Sequence, residues 1–158
     1  MPERLRNLLK GSDLYLFTGG GCHVFAQALL TKLPDEQYNL ALVTDERTGE
    51  GLHVVATSGD LVVDALGIRT ANTLLCWYTG HKGKRVRLQT VAESELFDAA
   101  ASQCGLPPKN KWGFHLESRF VNECRDKAFD VITQVSSRYK VSIYLKGYNL
   151  IKASTAER

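Results

Sequence analysis

The chain has 158 residues, of which 44% are hydrophobic and 23% are charged, and its formal net charge at pH 7 is +3. This length and composition are typical of a single globular domain whose core needs neither disulfides nor a metal. No apolar run approaches the roughly 20 residues that cross a bilayer, and the N-terminus lacks the apolar segment and cleavage site of a secretory signal. We expect a cytoplasmic protein that does not contact the membrane, although export or injection without a sequence mark stays open.

The first half of the chain predicts two helices and three strands. Residues 2–11 form an amphipathic helix that ends at a glycine, and residues 13–17 form a buried strand or an extended approach to the next glycines. A second helix starts at Cys22, carries apolar residues at helical spacing and stops before Pro34. Residues 38–44, 52–57 and 61–66 are apolar and β-branched and are parted by turn residues, which predicts three antiparallel strands.

The second half predicts further helices around one strand. Residues 70–80 have helical spacing, residues 84–91 alternate like a strand with one face in water, and residues 92–105 form a helix with a glycine stop. A loop follows, then a long helix over residues 117–139, and residues 140–151 form a closing strand pair or a loose end. The predicted fold class is α+β, as one domain over residues 1–158. A core at about 12–90 carries the predicted site, and a helical region follows at about 92–158.

The basic residues and cysteines narrow the classes of partner. The only concentrated basic run is "GHKGKRVR" at 80–87, which is more typical of a solvated strand edge than of a nucleic-acid surface. Nucleic acid is therefore disfavoured, while an acidic partner stays open for a set of five basic side chains: His81, Lys82, Lys84, Arg85 and Arg87. The four cysteines lack CxxC or zinc-finger spacing, so they are predicted to be thiols, three of them in the core: Cys76, Cys104 and Cys124.

The stretch "TGGGCHVFAQALL" (18–30) places a thiol at a helix N-terminus directly after three glycines. Unpaired N–H groups and the helix dipole at such a position favour a thiolate, and Gly20 and Gly21 let a ligand approach the backbone and offer N–H groups to an oxyanion. These features suit attack on an acyl carbon. Two other interpretations stay open: a phosphate-binding loop, which lacks P-loop or GxGxxG spacing, and a buried structural cysteine. No cofactor is predicted.

A second signal lies in "GLHVVATSGDLVVDALG". If the hairpin turns on Gly59 and Asp60, Ser58 pairs with Leu61, Val55 with Asp64, and His53 and Asp64 share one face as diagonal neighbours. The other face is then wholly apolar: Leu52, Val54, Ala56, Leu61, Val63 and Ala65. A one-residue slip would bury the carboxylate, which is costly. Packing the Cys22 helix across the polar face would align thiol, imidazole and carboxylate. The enzymatic interpretation fails if the sulfur is buried, or if the ring is turned away from it with no room for rearrangement.

The order of these residues resembles the papain-like superfamily in its transglutaminase, arylamine N-acetyltransferase and NlpC-like branches. The matching motifs are "GGGCHVFA", "LHVVA" and "LVVDALG", within residues 12–68. The resemblance implies a papain-like core in which an N-terminal nucleophile helix packs on an antiparallel sheet. It also implies Cys22 as nucleophile, His53 as base and Asp64 as the third member, with the oxyanion held by the Cys22 amide and a neighbouring donor. His23 stands where papain-like enzymes often have tryptophan.

By that resemblance the chain acts on an amide or ester bond of a protein or peptide, as a peptidase, glutamine deamidase or transglutaminase-like enzyme, through a thioester acyl-enzyme. Stand-alone bacterial members include toxins and injected effectors. The alternative is a papain-like binding module without chemistry. Neither the substrate nor the oligomeric state follows from the sequence.

The remaining candidates have weaker signals. His23 should point away from Cys22 and serve packing or the surface, because adjacent helix residues diverge by about 100°. The same divergence disfavours a metal site of Cys22, His23, His53 and Asp64, so no metal is predicted. The loop residues Trp112, Phe114 and His115 either line a substrate groove or anchor the loop to the core.

Overall fold

Among the residues that the computed structural model describes, 1–100 and 106–156, seven α-helices accompany one five-stranded antiparallel sheet. The fold class is therefore α+β, as the sequence predicts. Helix α1 spans Glu3–Lys10, α2 Asp13–Gly19 and α3 Cys22–Lys32, and a 3₁₀ turn follows at Pro34–Glu36. The predictions of α1 and α3 are confirmed.

Helix α2 corrects the prediction of a strand or extended segment at residues 13–17. The Ser12 side chain caps this helix by accepting a hydrogen bond from the Tyr15 amide at 3.2 Å, and Asp13 adds an acidic group to the first turn. Both features stabilise a helix N-terminus. Leu16 and Phe17 face the core. Residues 13–17, whose apolar content suits a buried strand, therefore lie in a short helix instead.

The sheet contains five strands: β1 Asn39–Asp45, β2 Gly51–Ser58, β3 Leu61–Asp64, β4 Gly67–Thr70 and β5 Val86–Thr90. Their order across the sheet is β4-β3-β2-β1-β5. Helix α4, Ala71–Lys82, connects β4 to β5. The three predicted antiparallel strands, the predicted helix and the strand after it are confirmed. Strand β4 was not predicted, because the predicted third strand ran to residue 66 whereas β3 turns back after Asp64.

The β2–β3 hairpin has the predicted register at its turn, where Ser58 pairs with Leu61 and Thr57 with Val62. The ladder ends at Ala56 and Val63, so the pairing of Val55 with Asp64 does not form. A bulge in β2 opposite Val43 and Thr44 shifts the strand beside His53. His53 and Asp64 nevertheless lie at the same end of the sheet, since β2 starts there and β3 ends there.

The helix α3 lies on the apolar face of the sheet, which corrects its predicted place across the polar face. Residues of α3 share buried clusters with the β2 and β3 side chains of the apolar face: Val54, Ala56, Leu61 and Val63. Helix α4 covers the other face, where Leu74 packs against Val55 and Val62. The physical reason is that burying the apolar face of α3 against an apolar sheet removes the most surface from water. The residue at the tip of α3 therefore meets His53 at the end of the strands.

The chain after β5 begins with α5, Glu93–Phe97, which is shorter than the predicted helix over 92–105. Beyond Phe97 the backbone extends, and the Ala100 amide donates to the Lys109 carbonyl instead of continuing the helix. The rest of that prediction, with Cys104, lies outside the described residues. The predicted long helix over 117–139 is α6, Ser118–Gln134, followed by a 3₁₀ turn at Ser136–Tyr139.

The last element is helix α7, Val141–Ala156, so the predicted strand pair or loose end at residues 140–151 is wrong. The alternation of Val141 and Ile143 with polar neighbours suits a strand. The Glu36 carboxylate, however, accepts hydrogen bonds from the Ser142 amide at 2.9 Å and hydroxyl at 2.7 Å, which supplies an acceptor to the first turn of a helix.

The helix α6 packs against α3, so the C-terminal region shares a core with the N-terminal helices. That core includes fully buried side chains of α1, α2, α3 and α6, among them Leu5, Leu16, Leu29 and Phe120. The Tyr38 hydroxyl donates to the Tyr139 carbonyl and ties β1 to the turn after α6. In the part of the chain that is described, no helix combines the length and apolar character needed to span a bilayer.

Candidate active site

Cys22 is the first residue of α3, and Gly21 occupies the N-cap position without a capping side chain. The first N–H groups of a helix have no acceptor inside it, so the Cys22 amide is available to a ligand. Cys22 exposes only 4% of its surface. The thiol therefore lies at the predicted helix tip but is nearly covered.

The glycines before Cys22 do not offer the free amides that were predicted for an oxyanion. The amides of Gly20 and Gly21 both donate to the Leu16 carbonyl at the end of α2, at 3.2 and 2.9 Å. A Cβ at Gly20 would lie 2.9 Å from a Leu8 methyl, and one at Gly21 would lie 3.3 Å from the Cys124 sulfur. These glycines allow α1, α2 and α6 to pack closely. Because their amides already have an acceptor, they are not available to a phosphate, as the alternative of a phosphate-binding loop requires.

His53 and Asp64 form the predicted side-chain pair. The His53 Nε2 donates to the Asp64 Oδ2 at 2.9 Å, and both residues are buried. The Asp64 Oδ1 also accepts the Leu66 amide at 2.9 Å. Because Nε2 of His53 is used by the carboxylate, Nδ1 is the ring nitrogen left for the thiol.

Arg69 is a fourth polar residue of this group that sequence reasoning missed. Its Nη2 donates to the same Asp64 Oδ2 at 2.5 Å. Arg69 lies on β4, and its approach to Asp64 depends on the tight turn after β3, for which no strand signal was recognised. The Arg69 guanidinium neutralises a carboxylate that would otherwise be costly to bury.

The pKa values of Cys22 and His53 are shifted in opposite directions. Burial raises the pKa of the Cys22 thiol, but the neighbouring His23 and His53 rings lower it more, to about 6. Burial lowers the pKa of His53, whereas Asp64 and the Cys22 sulfur raise it, to about 9. Burial also works against ionisation of Asp64, but His53 and Arg69 hold its pKa below the ordinary value. A thiolate beside an imidazolium is therefore the favoured pair at neutral pH.

His23 is fully buried, and it lies nearer the thiol than predicted. Its ring stacks on Phe114 with centroids 5.4 Å apart, and its Nε2 donates to the His115 carbonyl at 2.9 Å. Its Nδ1 makes no hydrogen bond of good geometry. The ring thus packs, as one of the two predicted alternatives, while contributing to the lowered pKa of Cys22.

The loop before α6 is anchored to the core rather than free to bind. The buried Asn110 side chain accepts the amides of Trp112 and Phe114, both at 3.0 Å, and donates to the Leu96 carbonyl at 2.8 Å. Phe114 is buried in the same cluster as Cys22, with Trp112 packed against it. Of the two predicted roles for this loop, the structure shows the anchor.

A cavity of about 230 Å³ adjoins the site between α2, the end of the sheet and α4. His53 and Arg69 line it from the strands, while Leu74, Trp77 and Tyr78 line it from α4. Cys22 is not part of its wall. A molecule placed in the cavity would contact His53 directly, and would reach the sulfur only if the lining side chains moved.

The other predicted cysteine positions differ from one another. Cys124 is fully buried as expected, and burial raises the pKa of its thiol to about 12. Cys76 is exposed on α4, which corrects its predicted place in the core. Helix α4 buries only Leu74 completely, so most of its apolar pattern faces solvent.

Several of the basic side chains near residues 80–87 already have protein partners. Lys84 lies 3.4 Å from a carboxylate oxygen of Asp45, and Arg85 lies 3.0 Å from one of Glu46. Arg87 donates to the Thr44 hydroxyl at 3.3 Å. These contacts match the predicted solvated strand edge. No group of three or more His, Cys, Asp or Glu side chains within residues 1–100 and 106–156 is arranged to hold a metal ion.

Comparison of the chain with protein-family models, with curated proteins and with solved structures found no match. What the site can do therefore rests on its own geometry.

Proposed function

We propose that the chain is a cysteine-dependent hydrolase or acyltransferase that acts on an amide or ester bond. Cys22 is the nucleophile, His53 the base and Asp64 the group that orients the base. The observation that supports this most directly is the 2.9 Å bond from His53 Nε2 to Asp64, formed beside a thiol at a helix N-terminus. The low pKa of the thiol and the high pKa of the ring agree with it.

In this mechanism the Cys22 thiolate attacks the acyl carbon and forms a carbon–sulfur bond. The negative charge moves to the carbonyl oxygen, where the Cys22 amide stabilises it. Collapse of the intermediate expels the leaving group, which takes a proton from the His53 imidazolium, and leaves a thioester on Cys22. The neutral ring then removes a proton from water or an amine, whose attack releases the acyl group and restores the thiolate.

Because Asp64 accepts the proton on Nε2, the neutral His53 ring keeps its Nδ1 unprotonated and directed at the sulfur. The same carboxylate stabilises the imidazolium. Arg69 in turn keeps Asp64 ionised. A helix that carries the nucleophile at its tip, followed by strands that carry base and acid, is also the arrangement behind our proposal of a papain-like architecture. Within that architecture we propose a protein or peptide substrate and cleavage, deamidation or transfer as the outcome.

A binding module without chemistry is the second candidate, and one observation favours it. Cys22 exposes 4% of its surface and His53 5%, so the pair is more enclosed than an open active site requires. In such a module the ion pair would serve only to fill the end of the sheet. Catalytic hydrogen bonds and access often change when substrate binds, which keeps the enzyme as our first candidate.

The test is acylation of the intact protein by a simple thiobenzyl ester, followed by mass spectrometry and peptide mapping. We expect an acyl adduct on Cys22, a burst of thiol release equal to the protein concentration, and a rate that rises with a midpoint near pH 6, where the thiol ionises. Cys22→Ala should remove the burst completely.

The matched control is Cys76→Ser, because Cys76 is exposed, whereas Cys22 and Cys124, the other cysteines within residues 1–100 and 106–156, are buried. This variant should keep the full burst and lose only adventitious labelling. An adduct confined to Cys76, with Cys22 unmodified at every pH, would instead establish the binding module.

A further inference from the structure

Three cavities within residues 1–100 and 106–156 have one side chain in common, Leu66, and the cavity beside His53 is the first of them. The second, of about 300 Å³, is lined by Leu14, Leu66 and Arg138 among others. The third, of about 390 Å³, is lined by Leu66, Arg138 and Ile143 among others. Because Leu66 is part of all three walls, the cavities adjoin one another around this side chain, and we call the surface that they form the groove.

Large apolar side chains line this groove and are partly exposed to solvent. Trp77 is 43% exposed, Leu66 46%, Leu14 49% and Ile143 53%. Single exposed apolar residues are ordinary, but a row of them along connected cavities indicates a surface that binds an apolar partner.

Trp77 is held in place although it is exposed. Its ring lies edge-on to Tyr78 with centroids 5.0 Å apart and stacks on His81 at 5.5 Å, and the Lys82 ammonium lies 5.5 Å from the ring centroid. A fixed aromatic wall loses little side-chain entropy when it packs against another flat group. This favours an aromatic side chain in the first cavity.

The sizes and charges of the groove indicate what kind of chain it takes. The first cavity, of about 230 Å³, is smaller than the roughly 300–1,000 Å³ of small-molecule sites and suits one side chain. Two of the three arginine and lysine side chains that line the cavities have protein partners, since Arg69 is paired with Asp64 and Arg138 donates to the Leu66 carbonyl at 2.8 Å, while Lys140 lines only the third cavity. An apolar polypeptide fits these features better than a nucleic acid.

We infer that the acyl donor is an extended polypeptide that crosses Leu66. Its residue at the reacting carbonyl places an aromatic side chain against Trp77, and further apolar side chains occupy the second and third cavities. This rests on the proposed function, since it names the substrate class of the same site. Side chains on one face of an extended peptide recur at every second residue, which suits separate cavities along one groove.

The test compares acylation of the full chain by three thiobenzyl esters: N-acetyl-alanine, N-acetyl-phenylalanine, and a hexapeptide of apolar residues ending in the same phenylalanine. We expect kcat/KM for the phenylalanine ester to exceed that for the alanine ester by at least about tenfold, the least that a filled apolar pocket gives. The hexapeptide should gain at least about another tenfold from its added apolar contacts.

Two variants separate the parts of the groove. Trp77→Ala should abolish the preference for phenylalanine over alanine, while Trp77→Phe, which keeps an aromatic wall, should retain most of it. Leu66→Ser should abolish the gain from peptide length. Its matched control is Leu106→Ser, a change at a side chain that is 63% exposed and lines none of the three cavities, which should leave all three esters unaffected.

The outcomes distinguish this inference from the function on which it rests. Acylation of Cys22 at equal rates by all three esters would keep the proposed function and overturn the polypeptide groove. Failure of every ester to acylate Cys22 would overturn the proposed function itself. A preference that survives Trp77→Ala, or a length effect that survives Leu66→Ser, would also overturn the inference, since these side chains define the groove.

Discussion

The two faces of the sheet differ in what covers them and in how they are built. On one face, α3 packs on alternating apolar side chains, and α6 packs behind it. On the other, α4 buries only Leu74 completely and leaves a cavity between its aromatic side chains and the His53–Asp64 pair. The first face is regular and closed, whereas the second has polar groups and open space. The main core and the cavity beside His53 therefore lie on opposite faces of one sheet, and Cys22 lies at the end of the strands, where the two faces meet.

The largest expected effect is on the closed face. Leu29 of α3 is fully buried in the core cluster that includes side chains of the sheet and of α6, and Leu29→Ala should lower the free energy of unfolding by about 2–5 kcal/mol through lost burial and a residual cavity. Urea denaturation measures this, with the exposed Leu106→Ala as the control, expected within about 0.5 kcal/mol of the parent. A loss at Leu29 as small as that of the control would mean that α3 does not rest on this face.

The next effect is on the open face, where His53→Ala should slow alkylation of Cys22 by iodoacetamide at pH 7. His23 and His53 together hold the thiol pKa at about 6, so removing His53 takes away one of the two rings that oppose the effect of burial and raises that pKa. The thiolate fraction at pH 7 then falls, by about tenfold for each unit by which the pKa exceeds 7. Peptide mapping after timed alkylation gives the rate at Cys22 alone. The exposed His81→Ala should leave that rate unchanged, and equal rates in both variants would show that His53 does not ionise the thiol.

A smaller effect is expected from Asp64→Asn, because Asp64 acts on the sulfur only through His53. Asp64 raises the pKa of His53, so its removal should lower the upper pH limit of acylation from near 9. At a pH above the upper limit of both proteins, the acylation rate should fall about tenfold for each unit by which the His53 pKa falls. A pH–rate profile from pH 5 to pH 10 measures the shift, and an unmoved upper limit would contradict the assignment.

The same substitution has a signature in stability. The folded pKa of Asp64 lies below its ordinary 3.8, so the carboxylate stabilises the fold above that pH and the contribution is lost as the pH falls through the folded value. The free energy of unfolding of the parent should therefore fall more steeply between pH 5 and pH 2 than that of Asp64→Asn.

The closed face was largely predictable from the sequence. Helical spacing after Cys22 and strict alternation in β2 and β3 define apolar surfaces that must be buried, and the two residues of the Gly59–Asp60 turn fix the register that places His53 near Asp64. The error lay in placing α3 across the polar face. The apolar faces of α3 and of the sheet belong together, and a residue at the helix tip can still reach round the end of the strands.

The open face was harder to predict because its side chains come from short elements joined by tight turns, namely β3, β4 and α4. Arg69 reaches Asp64 only because β3 stops at residue 64 and β4 folds back at once, and a four-residue strand has almost no periodic signal. Trp77 and Tyr78 belong to a predicted helix, but which side of it faces the sheet follows from that turn.

The N-cap at Ser12 was a usable signal for α2 and outweighs the short apolar run that suggests a strand.

The hydrogen bond from Arg138 to the Leu66 carbonyl links the turn after α6 to the rim of the groove across 72 positions of sequence. A Cβ at Gly67, where φ is +114°, would lie 3.3 Å from the same guanidinium, so the two segments are also fitted to each other in shape. The Leu66 amide also donates to Asp64 Oδ1, so the same residue contacts the turn after α6 through its carbonyl and the carboxylate of the candidate site through its amide. A change at Arg138 can therefore reach Asp64 through a single residue, although the two are 74 positions apart in the sequence.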